Sequence, residues 1–337
     1  MNVWRLPRLS YQAVNTVKET RPTALITQPD WAKQRAALNL PIVVQAEPTR
    51  RDQEFFDHLV DNLPSATQVI YALGEGVVMD AGKYVSMKTG KPLVVVPTML
   101  NDAGAFSPDV TFSTADAYTR IETGAADLAV VDLEIIQSTP AHLRAAAITD
   151  VLSVVTALMD WGYAAQKGQL RSEETFSPWG TGLAAAVVQQ GLKNAAAIGK
   201  GEPEALKTLV GLLCMTVQLD SLLGHRRASQ GAEHIFAEAV RMQPDAADVP
   251  FAERLAAGIL ITYALHKLQE KDATVMRSAL EAAGVRLKQI KKADILTTLL
   301  GLPAYVKRLH LPYTILNDLE ANPEKLAEAI LRSTLGD

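Results

Sequence analysis

The stretch Gly74-Glu75-Gly76-Val77-Val78-Met79-Asp80-Ala81-Gly82-Lys83 decides the fold prediction for this chain. An apolar, strand-like run at 68–73 leads into it, a helical pattern follows, and a second apolar run occupies 93–96. A strand, glycine turn, helix and strand expose backbone N–H groups at a helix N-terminus, where the helix dipole favours a phosphate. Two glycines let the turn approach an anion without a Cβ clash. The spacing differs from the dinucleotide fingerprint G-x-G-x-x-G, so an ordinary structural turn fits the pattern equally well.

The composition narrows the class of protein. The chain has 337 residues, of which 48% are apolar and 21% charged, as in a soluble globular protein. Its formal net charge of −4 argues against a nucleic-acid partner. The single cysteine, Cys214, excludes an internal disulfide framework and is expected to be a core residue rather than a nucleophile. Residues 1–7 lack the apolar core of a signal peptide, and no uncharged apolar run is long enough to cross a membrane. We therefore expect a cytoplasmic protein without a membrane partner.

The pattern along the chain changes near residue 138. Before it, strand-like and helix-like runs alternate, which predicts a parallel sheet with covering helices and a small hairpin between about residues 110 and 121. After it, Ala-rich helical patterns continue to the end, and Thr139 and Pro140 are typical of a helix start. The pattern predicts an α/β domain at 1–138 and an all-α domain at 139–337. The predicted strands occupy 24–27, 41–44, 68–73, 93–96 and 127–132.

Several further segments follow the glycine turn in a characteristic order: Pro97-Thr98, Ser107-Pro108, 127–132, 145–150 and 231–234. With them the chain resembles the superfamily of glycerol dehydrogenases, glycerol-1-phosphate dehydrogenases, iron-containing alcohol dehydrogenases and dehydroquinate synthases. The likeness is strongest to glycerol-1-phosphate dehydrogenases and covers about residues 20 to 270. It implies a dehydroquinate synthase-like fold, with a Rossmann-like N-terminal domain and a helical C-terminal domain. It also implies NAD(P) and a metal in the cleft between the two.

The nucleotide half of the family pattern is well matched. The resemblance assigns cofactor binding to Gly74, Glu75, Gly76, Val77, Val78, Thr98 and Ser107. Glu75 replaces a frequent glycine or alanine, and a carboxylate beside a pyrophosphate is unfavourable unless it points away. Gln28 stands where many members have an aspartate that binds the adenosine ribose, with Asp30 two residues on. NAD, NADP and the absence of a cofactor therefore stay open.

The metal half departs from the pattern. Family members that oxidise an alcohol hold a divalent metal with one carboxylate and two histidines. By resemblance Asp150 is the carboxylate and His234 the first histidine, although a helix-capping aspartate and a satisfied core histidine are the structural alternatives. Phe251 stands in place of the second histidine, and His225 and His266 lack the family spacing. We expect a zinc site that is weak or absent, with Phe251 beside the other two residues.

The substrate positions also differ from those of glycerol-1-phosphate dehydrogenases. The catalytic candidates implied by the resemblance are Asp150 and Asp102, and the latter lies one residue before its gap-free place at Ala103. Glu238 replaces a substrate-binding histidine, and its carboxylate would repel a phosphate. Arg226, in the basic run 225–227, is a candidate for binding a substrate phosphate or carboxylate, unless the run is a solvated helix end.

The resemblance implies an NAD(P)-dependent dehydrogenase that acts on a small polyol or polyol phosphate, with a homo-oligomer possible. One alternative is a divergent homologue without metal-dependent hydride transfer, which has a different reaction or serves as a nucleotide-binding or partner subunit. Another is a cyclase or lyase of the dehydroquinate synthase type. Fold-level likeness alone does not separate these functions.

Overall fold

The computed structural model describes residues 3–113, 118–144, 146–266, 270–333 and 335. The chain divides into two compact units: Trp4–Arg144, and Met1–Val3 together with Ala145–Asp337. The strands are β1 (Arg8–Tyr11), β2 (Thr23–Thr27), β3 (Ile42–Ala46), β4 (Val69–Gly74), β5 (Leu93–Pro97), β6 (Asp109–Ser113), β7 (Tyr118–Glu122) and β8 (Leu128–Val131). The helices are α1 (Ala32–Ala37), α2 (Gln53–Asp61), α3 (Val77–Thr89), α4 (Leu133–Ser138), α5 (Ala141–Arg144), α6 (Ile148–Leu152), α7 (Val154–Gln166), α8 (Pro178–Lys200), α9 (Pro203–Leu223), α10 (Ala232–Val240), α11 (Phe251–Leu265), α12 (Glu270–Ala282), α13 (Lys292–Arg308) and α14 (Pro323–Arg332).

The first unit is built on a parallel sheet. Among the described residues its strand order is β1-β8-β5-β4-β2-β3, and each neighbouring pair is parallel. The predicted strands are confirmed as β2, β3, β4, β5 and β8, and the predicted α/β class is confirmed with them. The edge strand β1 was not predicted. Its four residues, RLSY, are few and mostly exposed, and they form a strand through pairing with β8, far along the chain.

Both faces of this sheet are covered. Apolar side chains on one face, among them Leu25, Tyr71 and Val96, pack together with residues of the covering segments. On the other face α3 packs closely on β4. A Cβ added to Gly82 would lie only 2.8 Å from the Cβ of Ala72. The packing fixes α3, and hence the glycine turn at its start, against the centre of the sheet.

The hairpin predicted between residues 110 and 121 is confirmed. Strands β6 and β7 pair antiparallel, with Asp109 opposite Glu122 and Val110 opposite Ile121. The connecting residues 114–117 lie outside the described residues. Arg120 forms an ion pair of 2.7 Å with the buried Asp109, which ties the second strand to the first.

One prediction for the segment that follows α4 is wrong. Thr139 does not cap a following helix: it ends α4, and its hydroxyl donates to the Ile136 carbonyl at 2.7 Å. The carbonyl of Pro140 accepts the first hydrogen bonds of the short helix α5. The predicted domain boundary at 138 thus falls between α4 and α5, both of which belong to the first unit. Ala145, which begins the Ala-rich run, lies outside the described residues.

The described part of the second unit is helical. Its long helices use the expected end signals: Ser177 caps α8 ahead of Pro178, and Gly201 ends it in a left-handed conformation. The carboxylate of Asp160, on α7, is fully buried and accepts three hydrogen bonds from other elements. The donors are Ala232 N at 2.7 Å, Ile315 N at 2.8 Å and His266 Nε2 at 3.0 Å.

One described helix, α9, is long and apolar enough to cross a bilayer by length and composition. Of its apolar window 44% is buried inside the structure, and α9 packs against α8 and α6. A single helix of this kind is weak evidence for a membrane span, because core helices meet the same criteria. Cys214 lies on α9 as a buried free thiol, and burial raises its pKa to about 12, which fits a core residue.

Candidate functional site

The glycine turn lies where the connections of the sheet reverse direction. Strand β4 lies between β2 and β5 in the sheet. The connection from β2 leads to β3, towards one edge of the sheet, whereas the connection from β4 leads to β5, towards the opposite edge. In register, Thr27 at the end of β2 is opposite Leu73, and Gly74 is opposite Pro97. In open α/β sheets, ligands bind in the crevice at the carboxyl ends of the strands where the order reverses. The turn therefore occupies the expected position of a binding site in this unit.

Backbone conformation explains both glycines of the turn. Gly74 has a φ of 152° and Gly76 a φ of 51°, values that other residues rarely adopt. A Cβ on Gly74 would lie 2.8 Å from Gln28 Oε1, and one on Gly76 would lie 3.1 Å from Arg51 Nη2. Helix α3 starts directly after the turn at Val77. Both glycines are therefore required by the backbone conformation and by the close approach of Gln28 and Arg51.

Three polar atoms around the turn lack hydrogen-bond partners within the described part of the chain. They are Thr27 Oγ1, Gln28 Oε1 and Thr98 Oγ1, all buried. Thr27 is the last residue of β2, and Gln28 follows it. Thr98 follows β5, and its backbone N–H donates to the Gly74 carbonyl oxygen at 3.0 Å. Buried polar groups are normally satisfied, so unpaired ones at a strand edge indicate a missing ligand or water. The cofactor-binding role of Thr98 stays a prediction.

The side chain of Glu75 points into the crevice. Its carboxylate accepts a hydrogen bond from Asn101 Nδ2. Burial and the nearby Asp102 raise the pKa of Glu75, and the Arg51 cation and the Asn101 hydrogen bond oppose that rise. The cavity beside it is lined by Gly74, Glu75, Gly76, Asn101, Asp102 and Phe106, among others. A ligand on the turn would share this space with a carboxyl group.

Asp102 and Ser107 have roles within the loop that follows β5. Asp102 Oδ1 accepts from Gly104 N at 2.7 Å, which stabilises the loop, while the side chain lines the same cavity as Glu75. Ser107 Oγ accepts from Lys83 Nζ at 3.2 Å. Lys83 is 1% exposed and also donates to the carbonyls of Gly104, at 2.9 Å, and Asp109. Lys83 therefore fixes the loop that carries both predicted site residues.

Arg51 is a residue of this site that the sequence reasoning missed. Its guanidinium lies over Gly76 and forms an ion pair with Asp80, Nε to Oδ2, at 3.3 Å. Asp80 is buried and also lies 3.4 Å from Lys83 Nζ. The signal was available, because Arg51 follows the predicted strand 41–44 and parallel strands present their ligand loops at one edge. A cation at this position favours an anion on the turn.

In the helical unit, the structure brings together His234 and Phe251, which is expected in place of the second histidine. The ring centroids of His234, on α10, and Phe251, at the start of α11, are 6.0 Å apart. The predicted proximity of Phe251 and His234 is thus present, while the placement of Asp150 beside them and the ligand roles stay predictions. Asp150 lies in the first turn of α6, partly buried, and α6 packs against α11.

The imidazole of His234 is oriented by its neighbour. Its Nδ1 lies 2.9 Å from Oε1 of the fully buried Glu233, which also accepts from Gly231 N at 2.6 Å. A carboxylate on one ring nitrogen leaves the other as the donor to a ligand, as is usual for metal-binding histidines. A catalytic zinc takes three protein ligands, and no set of three or more His, Cys, Asp or Glu residues is arranged to hold a metal in the described ranges. The weak or absent zinc site therefore stays a prediction.

The predicted substrate residues have local partners. Glu238 lies one helical turn after His234, and its Oε2 is 3.9 Å from Arg241 Nε. Arg226 is half-buried, and its carbonyl accepts from Gln230 N at 2.7 Å. Their substrate roles stay predictions.

The basic run 225–227 does not form one solvent-exposed patch. Arg227 is 2% exposed and donates to the carbonyls of Asp160, at 3.2 Å, and Tyr313, at 2.7 Å. The ring of His225 stands edge-on to Trp161 at 5.1 Å, and burial lowers its pKa. Nε2 of His266 lies 3.0 Å from Oδ1 of the buried Asp160. These side chains support the packing of the helical unit.

Comparison with known proteins agrees with this architecture. Residues 22–140 match the family model described as iron-containing alcohol dehydrogenase. A glycerol-1-phosphate dehydrogenase [NAD(P)+] of Thermococcus kodakarensis is 27% identical over 201 residues, which are 59% of this chain and 56% of that protein. Its counterpart in Methanospirillum hungatei is 31% identical over 203 residues, 60% of this chain and 55% of that protein. The matches thus span just over half the length of these relatives.

A solved structure extends the likeness in fold to the whole chain. Glycerol dehydrogenase from Schizosaccharomyces pombe superimposes with a TM-score of 0.71 at 17% identity, covering 99% of this chain and 91% of that one. At this identity the comparison concerns the fold alone, and the sequence matches supply the relationship. The chain is thus similar in sequence to iron-containing alcohol dehydrogenases over residues 22–140, and to glycerol-1-phosphate dehydrogenases over about 60% of its length.

Proposed function

We propose that this chain binds NAD or NADP with the pyrophosphate over Gly74–Val78, and that it acts as an NAD(P)-dependent dehydrogenase of a small polyol or polyol phosphate. The observation that carries the proposal is the glycine turn at the reversal point of the sheet, surrounded by unpaired buried polar atoms. The relatives whose names include NAD(P)+ support the choice of cofactor. Bound NAD(P)+ would supply the hydride acceptor for oxidation of an alcohol.

Each part of the site has a proposed task. The backbone of the turn and Arg51 hold the pyrophosphate. The Thr98 hydroxyl forms a hydrogen bond with the cofactor. Lys83 and Ser107 keep the loop after β5 in place. Asp102 lines the same cavity as the turn, and its proposed task is to accept a hydrogen bond from a substrate hydroxyl. A cytoplasmic location and the absence of membrane and nucleic-acid partners stay predictions.

A second candidate function is favoured by one observation. Phe251 stands beside His234, where the family pattern has a ligand, so this chain is alternatively a divergent homologue without metal-dependent hydride transfer. Such a protein would keep the nucleotide site and have another reaction or a role as a partner subunit.

Titration of the folded protein with NAD+, NADH, NADP+ and NADPH tests the nucleotide site. Assays of glycerol and glycerol 1-phosphate oxidation, with and without added zinc, then separate the two functions. Binding with turnover supports the dehydrogenase, and binding without turnover under every metal condition supports the divergent homologue. Failure to bind any of the four nucleotides contradicts the proposal.

Arg51 provides the first specific prediction. Replacing Arg51 with glutamine should weaken dinucleotide binding by about tenfold or more, because a charge-assisted hydrogen bond contributes roughly 1.5–3 kcal/mol. Isothermal titration calorimetry with NADH measures this change. Arg50→Gln is the matched control, since Arg50 is exposed and pairs with Asp52 at 3.2 Å. Equal loss of affinity in both variants would show that Arg51 has no specific contact with the nucleotide.

A further inference from the structure

Glu75 places an acid inside the turn that is proposed to hold a pyrophosphate. Gly74 and Gly76 flank it with positive φ values, and Glu75 lines the cavity next to that backbone. Asn101 donates a hydrogen bond to it, so the side chain is held on the ligand side. Because the cavity has a lower dielectric constant than water, a carboxylate here would repel a pyrophosphate strongly.

The charged groups around Glu75 do not neutralise it fully. Asp102, in the loop after β5, is a second acid beside it, and Arg51, from the segment before α2, is the facing cation. Arg51 is shared with Asp80 on α3, at 3.3 Å. Lys83 forms an ion pair with Asp80 and donates to backbone carbonyls of the loop after β5. The cluster thus contains three acids and two cations, and both cations are engaged by Asp80.

We propose that Glu75 couples dinucleotide binding to the uptake of one proton, so that this chain binds NAD(H) more tightly as the pH falls. The inference rests on the proposed function, because it requires the pyrophosphate to lie on the glycine turn. A protonated Glu75 removes the repulsion and can donate a hydrogen bond to a phosphate oxygen. No other covalent change is involved.

The direction of the pH effect follows from the sign of the coupling. Burial and Asp102 already raise the pKa of Glu75 in the free protein. A bound pyrophosphate raises that pKa further, because it adds negative charge nearby. Affinity is then constant below the pKa of the free protein. Above it, affinity falls roughly tenfold per pH unit until the pKa of the complex is passed.

Calorimetry in two buffers with different ionisation enthalpies measures the proton uptake directly. NADH is the probe, since it lacks the 2′-phosphate that titrates near neutral pH. Wild type is expected to take up close to one proton per NADH at the pH where affinity falls. Glu75→Gln, whose amide oxygen still accepts from Asn101, is expected to take up none and to bind NADH more tightly at pH 8. Glu54→Gln removes one acid from the exposed first turn of α2 and should behave as wild type.

A second variant tests the role of the neighbouring acid. Asp102→Asn is expected to shift the proton uptake to lower pH, because it removes a negative charge that raises the pKa of Glu75. Binding without proton uptake in wild type, or equal uptake in Glu75→Gln, overturns this inference and leaves the proposed function intact. Absence of NADH binding by wild type and by Glu75→Gln at every pH overturns both.

Discussion

Replacing Phe251 with histidine is expected to raise the affinity for zinc by about 10–100-fold or more. Removing a group that is hydrogen-bonded to a metal ligand lowers metal affinity by about 10–100-fold. Removing the ligand itself should lower the affinity at least as much. The ring of Phe251 lies beside His234, whose Nδ1 is held by Glu233, so a new imidazole there would enter next to an oriented one. Competition with a chromogenic chelator measures the zinc affinity of both proteins.

A double variant makes this test specific. Phe251→His combined with His234→Ala should lose the gain, because the new imidazole would no longer have its partner. Phe176→His adds a histidine at a half-exposed position in contact with Trp161, and should leave zinc affinity at the wild-type level. Stoichiometric zinc in the wild type, or no gain in the single variant, would show that Phe251 does not occupy a ligand position.

Replacing Gly258 with alanine is expected to destabilise the helical unit by about 3 kcal/mol. Gly258 lies on α11 where α10 crosses it, and an added Cβ would overlap the carbonyl oxygen of Glu233 and lie 3.0 Å from its carbonyl carbon. Backbone atoms cannot turn aside as a side chain can, so the two helices must separate. The midpoint of urea unfolding, followed by circular dichroism, measures the loss of stability.

The matched control is a glycine in another helix of the same unit. Gly211, on α9, has no heavy atom within 4 Å of an added Cβ. Gly211→Ala should therefore stabilise by roughly 0.5–1 kcal/mol, the usual advantage of alanine over glycine in a helix. Similar unfolding midpoints for the two variants would contradict the close crossing of α10 and α11. Because that crossing also places Glu233 and His234 near Phe251, Gly258→Ala should abolish any zinc gain produced by Phe251→His.

These predictions separate the two candidate functions. The nucleotide site and the predicted metal site lie in different units and can be lost independently. A chain that binds NAD(H) and oxidises a polyol without the Phe251→His change is a dehydrogenase. A chain that binds NAD(H) but gains turnover only with that change is a divergent homologue that has kept the nucleotide half.

The sequence by itself was sufficient for the architecture. Buried parallel strands read as continuous apolar runs, so β2, β4, β5 and β8 were recognisable one by one. The glycine turn was recognisable because residues other than glycine rarely adopt the positive φ values found at Gly74 and Gly76. Local rules of this kind depend on neighbouring residues, and a single sequence contains them.

Other features depended on contacts between distant residues. Strand β1 exists through pairing with β8, and Thr139 ends one helix instead of starting the next. In the site, only the tertiary structure showed that Arg51 lies over Gly76 and that Glu75 faces the cavity beside Asp102. The direction of a side chain and the charge around it are set by segments brought together from across the chain. Sequence spacing does not encode them, and for that reason the chemistry of the turn was decided by the fold.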